Sequence, residues 1–480
     1  MASAATLGLS LFRRKPVRSM AEHAAANAVH GTLSRSIGLF PLVMLGIGAT
    51  VGSGIFVALT AAVPVSGPSV ILSFVIAGIT AGLTALCYAE LSSTMPVSGS
   101  AYSYAYATLG EFSAFVVGAC LLLEYAVSAS AIAVGWGQYL NELFGDVTGW
   151  RMPDAISQPP GEGGVVNLPA VALIAICATL LIRGTRESTT VNAILVAVKL
   201  GVLALFVVIA LTAFRSENLI PFMPLGWSGI GTASAMIFFS YIGLDTISTA
   251  GDEAKDPART LPLAIVISLL VVTAIYLLVA IAAVGAQPWT AFSDQNAGLA
   301  VILRNVTGAT WPSILFSIGA IVSIFSVTLA AMFGQTRILM AMSRDGLLPT
   351  VFGKVDPATQ SPRYNTYIVA TFIAVLAAVV PLDVLVNLTS MGTLTAFAVV
   401  SLGVMILRRT RPDLERGFKV PLYPFVPVAS VAFCLYLIIE LPRLTHLLFL
   451  AWVTGALLLY FSYSFRNSVL AKPQPAGSPL

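Results

Sequence analysis

Polar residues along this chain gather between long apolar runs, with no strand-like alternation and few one-sided helical stripes. Runs long enough to cross about 30 Å of hydrocarbon recur throughout. Twelve are predicted as spanning helices: 39–61, 69–92, 112–140, 167–182, 190–214, 228–248, 261–284, 312–340, 366–380, 385–407, 424–440 and 445–464. Two of them are interrupted in mid-span. The first carries Gly46, Gly48, Gly52, Ser53 and Gly54, and the sixth carries Phe239-Ser240-Tyr241-Ile242-Gly243-Leu244-Asp245. A membrane helix loses backbone hydrogen bonds at its centre only where protein, water or a ligand replaces them. Paired interruptions in corresponding segments of two halves point to a solute-binding site.

Composition agrees with an all-α integral membrane protein. Hydrophobic residues make up 57% of the 480 and charged residues only 10%, with a mean hydropathy of +0.91. The residues before Leu39 contain Arg13, Arg14, Lys15 and Arg18 but no apolar core of a cleavable leader, so the first span is read as retained. With the N-terminus placed inside, the tails and even-numbered connections hold 20 of the 25 Lys and Arg. The odd connections hold Arg151, Arg215, Arg304 and Arg443, and Lys199 falls within a span. This bias predicts cytoplasmic termini in a plasma (inner) membrane protein. It also accounts for the basic pI of about 8.9 without a nucleic-acid partner. Cys87, Cys120, Cys177 and Cys434 sit in four different spans, and His23, His30 and His446 lie in a tail or near a membrane end. Neither set suggests a disulfide framework, a metal or another cofactor.

Four parts are expected along the chain: a cytoplasmic tail at 1–38, a core at 39–408, two added helices at 409–466 and a Pro-rich tail at 467–480. The core divides into repeats at 39–214 and 228–408, each opening with an interrupted helix.

Unwinding around Gly52-Ser53-Gly54 leaves N–H groups aimed into a mid-membrane cavity, and the half-helix that follows adds the positive end of its dipole. A carboxylate suits such donors. Gly48-x-x-x-Gly52 is equally a helix-packing motif, and that reading stays open. Thr50, just ahead of the break, joins Gly52, Ser53 and Gly54 as a candidate substrate contact. In the second break, carbonyls at the end of a half-helix suit an ammonium group, and Phe239, Tyr241 and Gly243 are the candidates around it. A ring there would close over the ligand by cation–π attraction; the alternative is ordinary packing.

Charges within spans are costly and by default functional. Asp245 would serve a membrane protease only with a second intramembrane aspartate, and none is found. Lys199 lies about ten residues from Thr189, some 15 Å along a helix, too far for its side chain to reach the interface. Glu124 is at comparable depth. Lys199 and Glu124 either form a structural ion pair or take part in coupling, the lysine standing where other carriers hold sodium. Glu90, closer to an inner end, reads as structural.

Gly46-Ile-Gly-Ala-Thr-Val-Gly-Ser-Gly-Ile-Phe56, Pro96-Val-Ser-Gly-Ser-Ala-Tyr-Ser-Tyr104, Phe239-Ser-Tyr-Ile-Gly-Leu-Asp245, Gly334-Gln-Thr-Arg337 and Ser343-Arg-Asp-Gly-Leu-Leu-Pro349 resemble the signatures of the amino acid–polyamine–organocation superfamily. Together they are similar to the bacterial branch of its cationic amino acid transporters, from about Leu39 through the last span. The resemblance implies a LeuT-like five-plus-five inverted repeat with helices 1 and 6 broken, plus two extra helices. It puts the substrate carboxylate at Gly52–Gly54, the α-amino group at the Phe239–Gly243 carbonyls, and Phe239 as the gate. It puts Lys199 at the second sodium site of sodium-coupled relatives, which implies sodium independence with proton coupling or exchange.

The expected activity is therefore non-enzymatic: secondary transport of L-amino acids by alternating access, small neutral ones favoured, with Lys199, Glu124 and Asp245 as coupling or structural charges. The alternatives are a cationic amino acid or polyamine exchanger and, in a different class, a non-transporting amino-acid sensor. The expected partners are the amino acid, protons and the lipid bilayer.

Overall fold

The computed structural model describes residues 13, 37–52, 54–95, 100–184, 189–251, 253–356 and 361–471. Ser53, Pro96–Gly99 and most of both tails lie outside the described residues. Among those described there is no β-strand, only a single parallel bridge between Ile37 and Ala254. Eight helical stretches are long and apolar enough to cross a membrane, and four further apolar helices are shorter.

The first apolar run forms α1 (Leu39–Thr50), a break at Val51-Gly52, a π turn at Gly54–Ala58 and α2 (Leu59–Ser66). The chain turns at Gly67, whose positive φ of 70° favours glycine, and enters α3 (Val70–Thr94). Next come α4 (Ser100–Thr108), α5 (Glu111–Thr148), the short α6 (Asp154–Ser157), α7 (Leu168–Ile182) and α8 (Thr189–Thr212). The sixth run forms α9 (Gly226–Ile237), a 3₁₀ turn at Phe238–Tyr241, an extended residue at Ile242 and the short α10 (Thr246–Thr249). Beyond it lie α11 (Pro257–Ala286), α12 (Gly298–Thr307), α13 (Trp311–Arg344), α14 (Arg363–Val379), α15 (Leu382–Thr410), α16 (Phe425–Glu440) and α17 (Arg443–Leu459).

Both mid-span interruptions thus fall where the glycines predict them. Two differences have physical reasons. The third span continues to Thr148, eight residues beyond the predicted end, because Asn141, Glu142 and Asp146 find polar partners on the following loop and on α12. The helices α4 and α12 were not anticipated. Each is too short to cross a bilayer, and α12 has one apolar face, burying Leu299, Ala300, Ile302 and Leu303.

The long α5 and α13 pack side by side through the centre, α3 and α11 form a second pair, and α1 lies along α11 and α8. Helix α17 is peripheral: Thr445 is its one buried residue, and the Trp452 indole donates to the Ala119 carbonyl at 2.9 Å.

At the end of the bundle where α1 begins, Glu90 organises the connection after α15. Its carboxylate accepts from Arg408 Nε at 2.8 Å and Nη2 at 2.5 Å, and from the Val420 amide at 2.7 Å. Arg416 Nε lies 3.4 Å away. Glu90 is buried, so removing it strands two guanidiniums. Truncating one partner of such a pair costs far more than the pair contributes over an apolar substitute. Glu90→Ala is expected to destabilise the protein by about 3 kcal/mol. Thermal unfolding in detergent would show this as a lowered midpoint, with Arg408→Ala less than additive in the double variant. An unchanged midpoint would contradict the clamp.

Candidate functional site

Glycine allows the two interruptions to meet backbone to backbone. A Cβ built on Gly54 would run into the Cα of Ser240, and one built on Gly243 would come within 2.7 Å of the Ala49 carbonyl oxygen. Gly243 also has a φ of 104°, which side-chain-bearing residues rarely adopt. The third element is Tyr276 on α11. Its hydroxyl lies 2.8 Å from the Thr50 carbonyl and 3.0 Å from the Ser240 carbonyl, so one proton is shared between the ends of the two half-helices. Both carbonyls would otherwise be orphaned by the interruptions.

The remaining groups at the breaks are unevenly satisfied. The Thr50 hydroxyl is used within its own helix, donating to the Gly46 carbonyl at 2.8 Å. The Ser240 hydroxyl is buried beside Gly54 with no hydrogen-bond partner among the described residues. A Cβ on Gly52 would come 2.5 Å from a methyl of Val327 on α13, so that side of the break is apolar. Phe239 is buried, and its neighbour Phe238 packs edge-on against Phe397 at 5.8 Å. Tyr241 turns away from the first break: its hydroxyl donates to the Phe74 carbonyl on α3 at 3.1 Å, and its ring packs edge-on to Tyr276 at 5.6 Å.

The three intramembrane charges separate into two places. The buried Lys199 ammonium donates to the Gly48 carbonyl at 2.8 Å, half a turn before the first break. Glu124 instead lies near Asp245 and Thr393, and one of its oxygens, Oε2, is buried without a partner among the described residues. Asp245 borders a small cavity with Tyr88, Leu244 and Phe397. The expected alternative of a Lys199–Glu124 pair is therefore not the arrangement found. Helix periodicity cannot reveal which faces of α5, α8 and α10 converge. Among the described residues no group of His, Cys, Asp and Glu is suited to a metal ion.

Tyr276 and Val327 escaped the reading of the sequence. Each lies in an unbroken apolar run, where a lone tyrosine or valine carries no local signal.

Two interrupted helices with their open backbone ends back to back, in an all-helical membrane bundle, define a solute carrier. The amino acid permease family model matches residues 37–460, and the chain belongs to that family, within the amino acid–polyamine–organocation superfamily. It is an amino acid transporter, not an enzyme. It is 40% identical over 465 residues to the branched-chain amino acid permease BcaP of Bacillus subtilis, covering 96% of this chain and 99% of that protein. It is 39% identical over 467 residues to the methylthioribose transporter of the same organism, covering 96% and 100%. It is 38% identical over 413 residues to the vacuolar cationic amino acid transporter 2 of Arabidopsis thaliana, covering 84% and 64%.

Because Gly54 sits directly on Ser240, Gly54→Ala is expected to force the half-helices apart and reduce uptake in proteoliposomes at least about tenfold, the effect of displacing a binding group by roughly an ångström. Tyr276→Phe strands the two buried carbonyls that share its hydroxyl, at a cost of about 1–3 kcal/mol, and should lower both uptake and the unfolding midpoint. Wild-type uptake by both variants would remove the breaks from the site.

Proposed function

We propose that this protein is a secondary L-amino-acid transporter of the plasma membrane working by alternating access, sodium-independent and proton-coupled, with small neutral aliphatic amino acids as cargo. The observation that carries this reading is the backbone contact of the two interruptions. The helix start at Gly54 offers N–H groups and a positive dipole end to a carboxylate, and the 3₁₀ end at Phe238–Tyr241 offers carbonyls to an ammonium group. The unpartnered Ser240 hydroxyl lies between these two poles. Thr50, Gly52 and Gly54 are assigned to the carboxylate pole, with Ser53 of the same motif outside the described residues, and Phe239 and Gly243 to the amine pole with Phe239 as gate. Tyr241 acts from behind by holding the turn against α3. The apolar contact of Val327 with Gly52 favours an aliphatic side chain, as does likeness to the branched-chain permease.

The architecture in this reading is twelve spans, ten of them an inverted repeat of 39–214 and 228–408, with α16 and α17 added. The termini are cytoplasmic, since the end of the bundle carrying Arg408, Arg409 and Arg416 holds most of the basic residues. Lys199 supplies at Gly48 the positive charge that a sodium ion supplies elsewhere, and its deprotonation would release α1.

A second reading, a different small solute or a cationic amino acid in exchange, draws on the methylthioribose and plant cationic relatives. Counterflow in proteoliposomes against a panel of unlabelled compounds separates the two. Neutral aliphatic amino acids should drive the largest counterflow, whereas stimulation by cationic amino acids or a thio-sugar alone favours the second. Binding without accumulation would instead identify a sensor.

Uptake should survive replacement of sodium by choline and rise with an inward proton gradient. Lys199→Ala should abolish that response, because it deletes the charge held on Gly48. Glu124→Gln should shift the profile less, since Glu124 acts beside Asp245. A sodium-dependent wild type, or an unchanged profile in Lys199→Ala, would overturn the coupling scheme. Phe239→Ala should reduce uptake more than it lowers the unfolding midpoint, and equal losses would return Phe239 to packing.

A further inference from the structure

One stripe of α5 closes the face of the bundle opposite Glu90. Gly135, Tyr139, Glu142 and Asp146 recur at helical spacing along a single face. A Cβ on Gly135 would strike the Val57 side chain just beyond the first break, and the Tyr139 hydroxyl donates to the Phe56 carbonyl at 2.9 Å. Further along, the stripe changes from packing to charge. Arg304 on α12 contacts Glu142 closely and reaches Asp146 Oδ1 at 2.8 Å, while Arg151 meets Glu142 at 2.8 Å.

What Arg304 fastens is the loop that rides on α2. The turn Trp289–Asp294 packs on α2, and Gly298 at the start of α12 lies against Thr60. Gln287 and Gln295 join that turn to the end of α11 through reciprocal amide hydrogen bonds of 2.9 and 3.3 Å. Arg304 is at the far end of α12 and grips α5. Its ion pairs therefore cross the same seam, between α2 with its loop and α5, that Tyr139 crosses deeper in the bundle.

Two features suit this cluster to opening: the first is shared with the Glu90 cluster, where the buried Arg416 Nε also lacks a hydrogen-bond partner among the described residues, and the second is not. The Asp146 side chain is 3% exposed, yet its Oδ2 is buried without a hydrogen-bond partner among the described residues, so the closed arrangement leaves it incompletely satisfied. Beside the pairs lies a polar cavity of about 150 Å³, lined by Gln138, Asn141, Glu142, Arg151, Gln295 and Arg304. That is room for several waters, which would solvate the charges as they part. Burial works against the Arg304 charge, but the hydrogen bonds and charges of Asp146 and Glu142 outweigh it and hold the guanidinium above its ordinary pKa.

We propose that Arg304 is a gating residue of transport: clamped by Glu142 and Asp146 it latches the 289–307 loop over the closed outer seam, and its release is a step in outward opening. This rests on the alternating-access reading and on the outer placement of this face. The test reads opening directly and does not depend on the cargo. Thr60→Cys, placed under Gly298, reports the seam, and the native cysteines are all buried. In right-side-out vesicles, Arg304→Gln and Asp146→Asn should each raise labelling of Thr60→Cys by a membrane-impermeant maleimide about tenfold, as expected for losing one partly desolvated charge pair. Combining Arg304→Asp with Asp146→Arg should bring labelling back down, which mere loss of fold would not. A second measurement uses Arg304→Cys with Asp146→Cys bridged by a short bis-methanethiosulfonate. Bridging should stop uptake, and reduction should restore it. Unchanged labelling in the single variants, or uptake indifferent to bridging, overturns the latch. A wild type that labels as expected but accumulates no amino acid would overturn the transport reading instead.

Discussion

Unwound backbone in the middle of a membrane has to find partners inside the protein, and most of this structure follows from how two such stretches share theirs. Each interruption exposes peptide groups that hydrocarbon cannot solvate, at a cost of several kcal/mol per unsatisfied group. Placed apart, each would need its own set of polar side chains. Placed back to back, with Gly54 on Ser240 and Gly243 on Ala49, they need little more than the Tyr276 hydroxyl and the Lys199 ammonium. The Ser240 hydroxyl is left buried without a hydrogen-bond partner among the described residues, and on the proposed reading it faces the ligand.

That constraint explains why small residues cluster at the breaks and large ones surround them. Alanine is already too large at Gly54, and Gly46 and Gly48 admit Ile247 and Val196 equally closely. Close packing and opening of the backbone are thus divided between neighbouring glycines of one run. Gly46 and Gly48 let α1 seat against α10 and α8, and Gly52 and Gly54 open the backbone. The polar ends of the bundle differ in kind. Glu90 accepts hydrogen bonds from Arg408 and the Val420 amide with Arg416 nearby, whereas Asp146 keeps an unpartnered oxygen beside water-sized space. On the proposed transport cycle the first end stays fixed and the second releases.

Much of this was legible in the sequence because it is local. Glycine runs inside apolar segments mark the breaks, and apolar length marks the spans. Asymmetry of Lys and Arg predicts which face is cytoplasmic. What escaped is relational. The polar residues Asn141 and Glu142 look like the start of a loop until Arg304 and the Met152 backbone come to meet them, so α5 was ended too early. Tyr241 was read as facing the ligand, yet its hydroxyl is drawn to the Phe74 carbonyl. Lys199 and Glu124 were weighed as partners because both are deep. Depth says nothing about azimuth, and the lysine found a carbonyl while the glutamate lies beside Asp245 and Thr393. Ser53, central to the expected site, lies outside the described residues.

The most direct test of the central claim is a cryo-electron microscopy map of the protein saturated with the amino acid that it accumulates best. The account predicts ligand density between the two interruptions, its carboxylate at the amides following Gly52 and its ammonium at the carbonyls of Phe238–Tyr241. Density at the cavity beside Asp245 and Tyr88, or in the polar cavity near Arg304, with the space between Gly54 and Ser240 still closed, would contradict it.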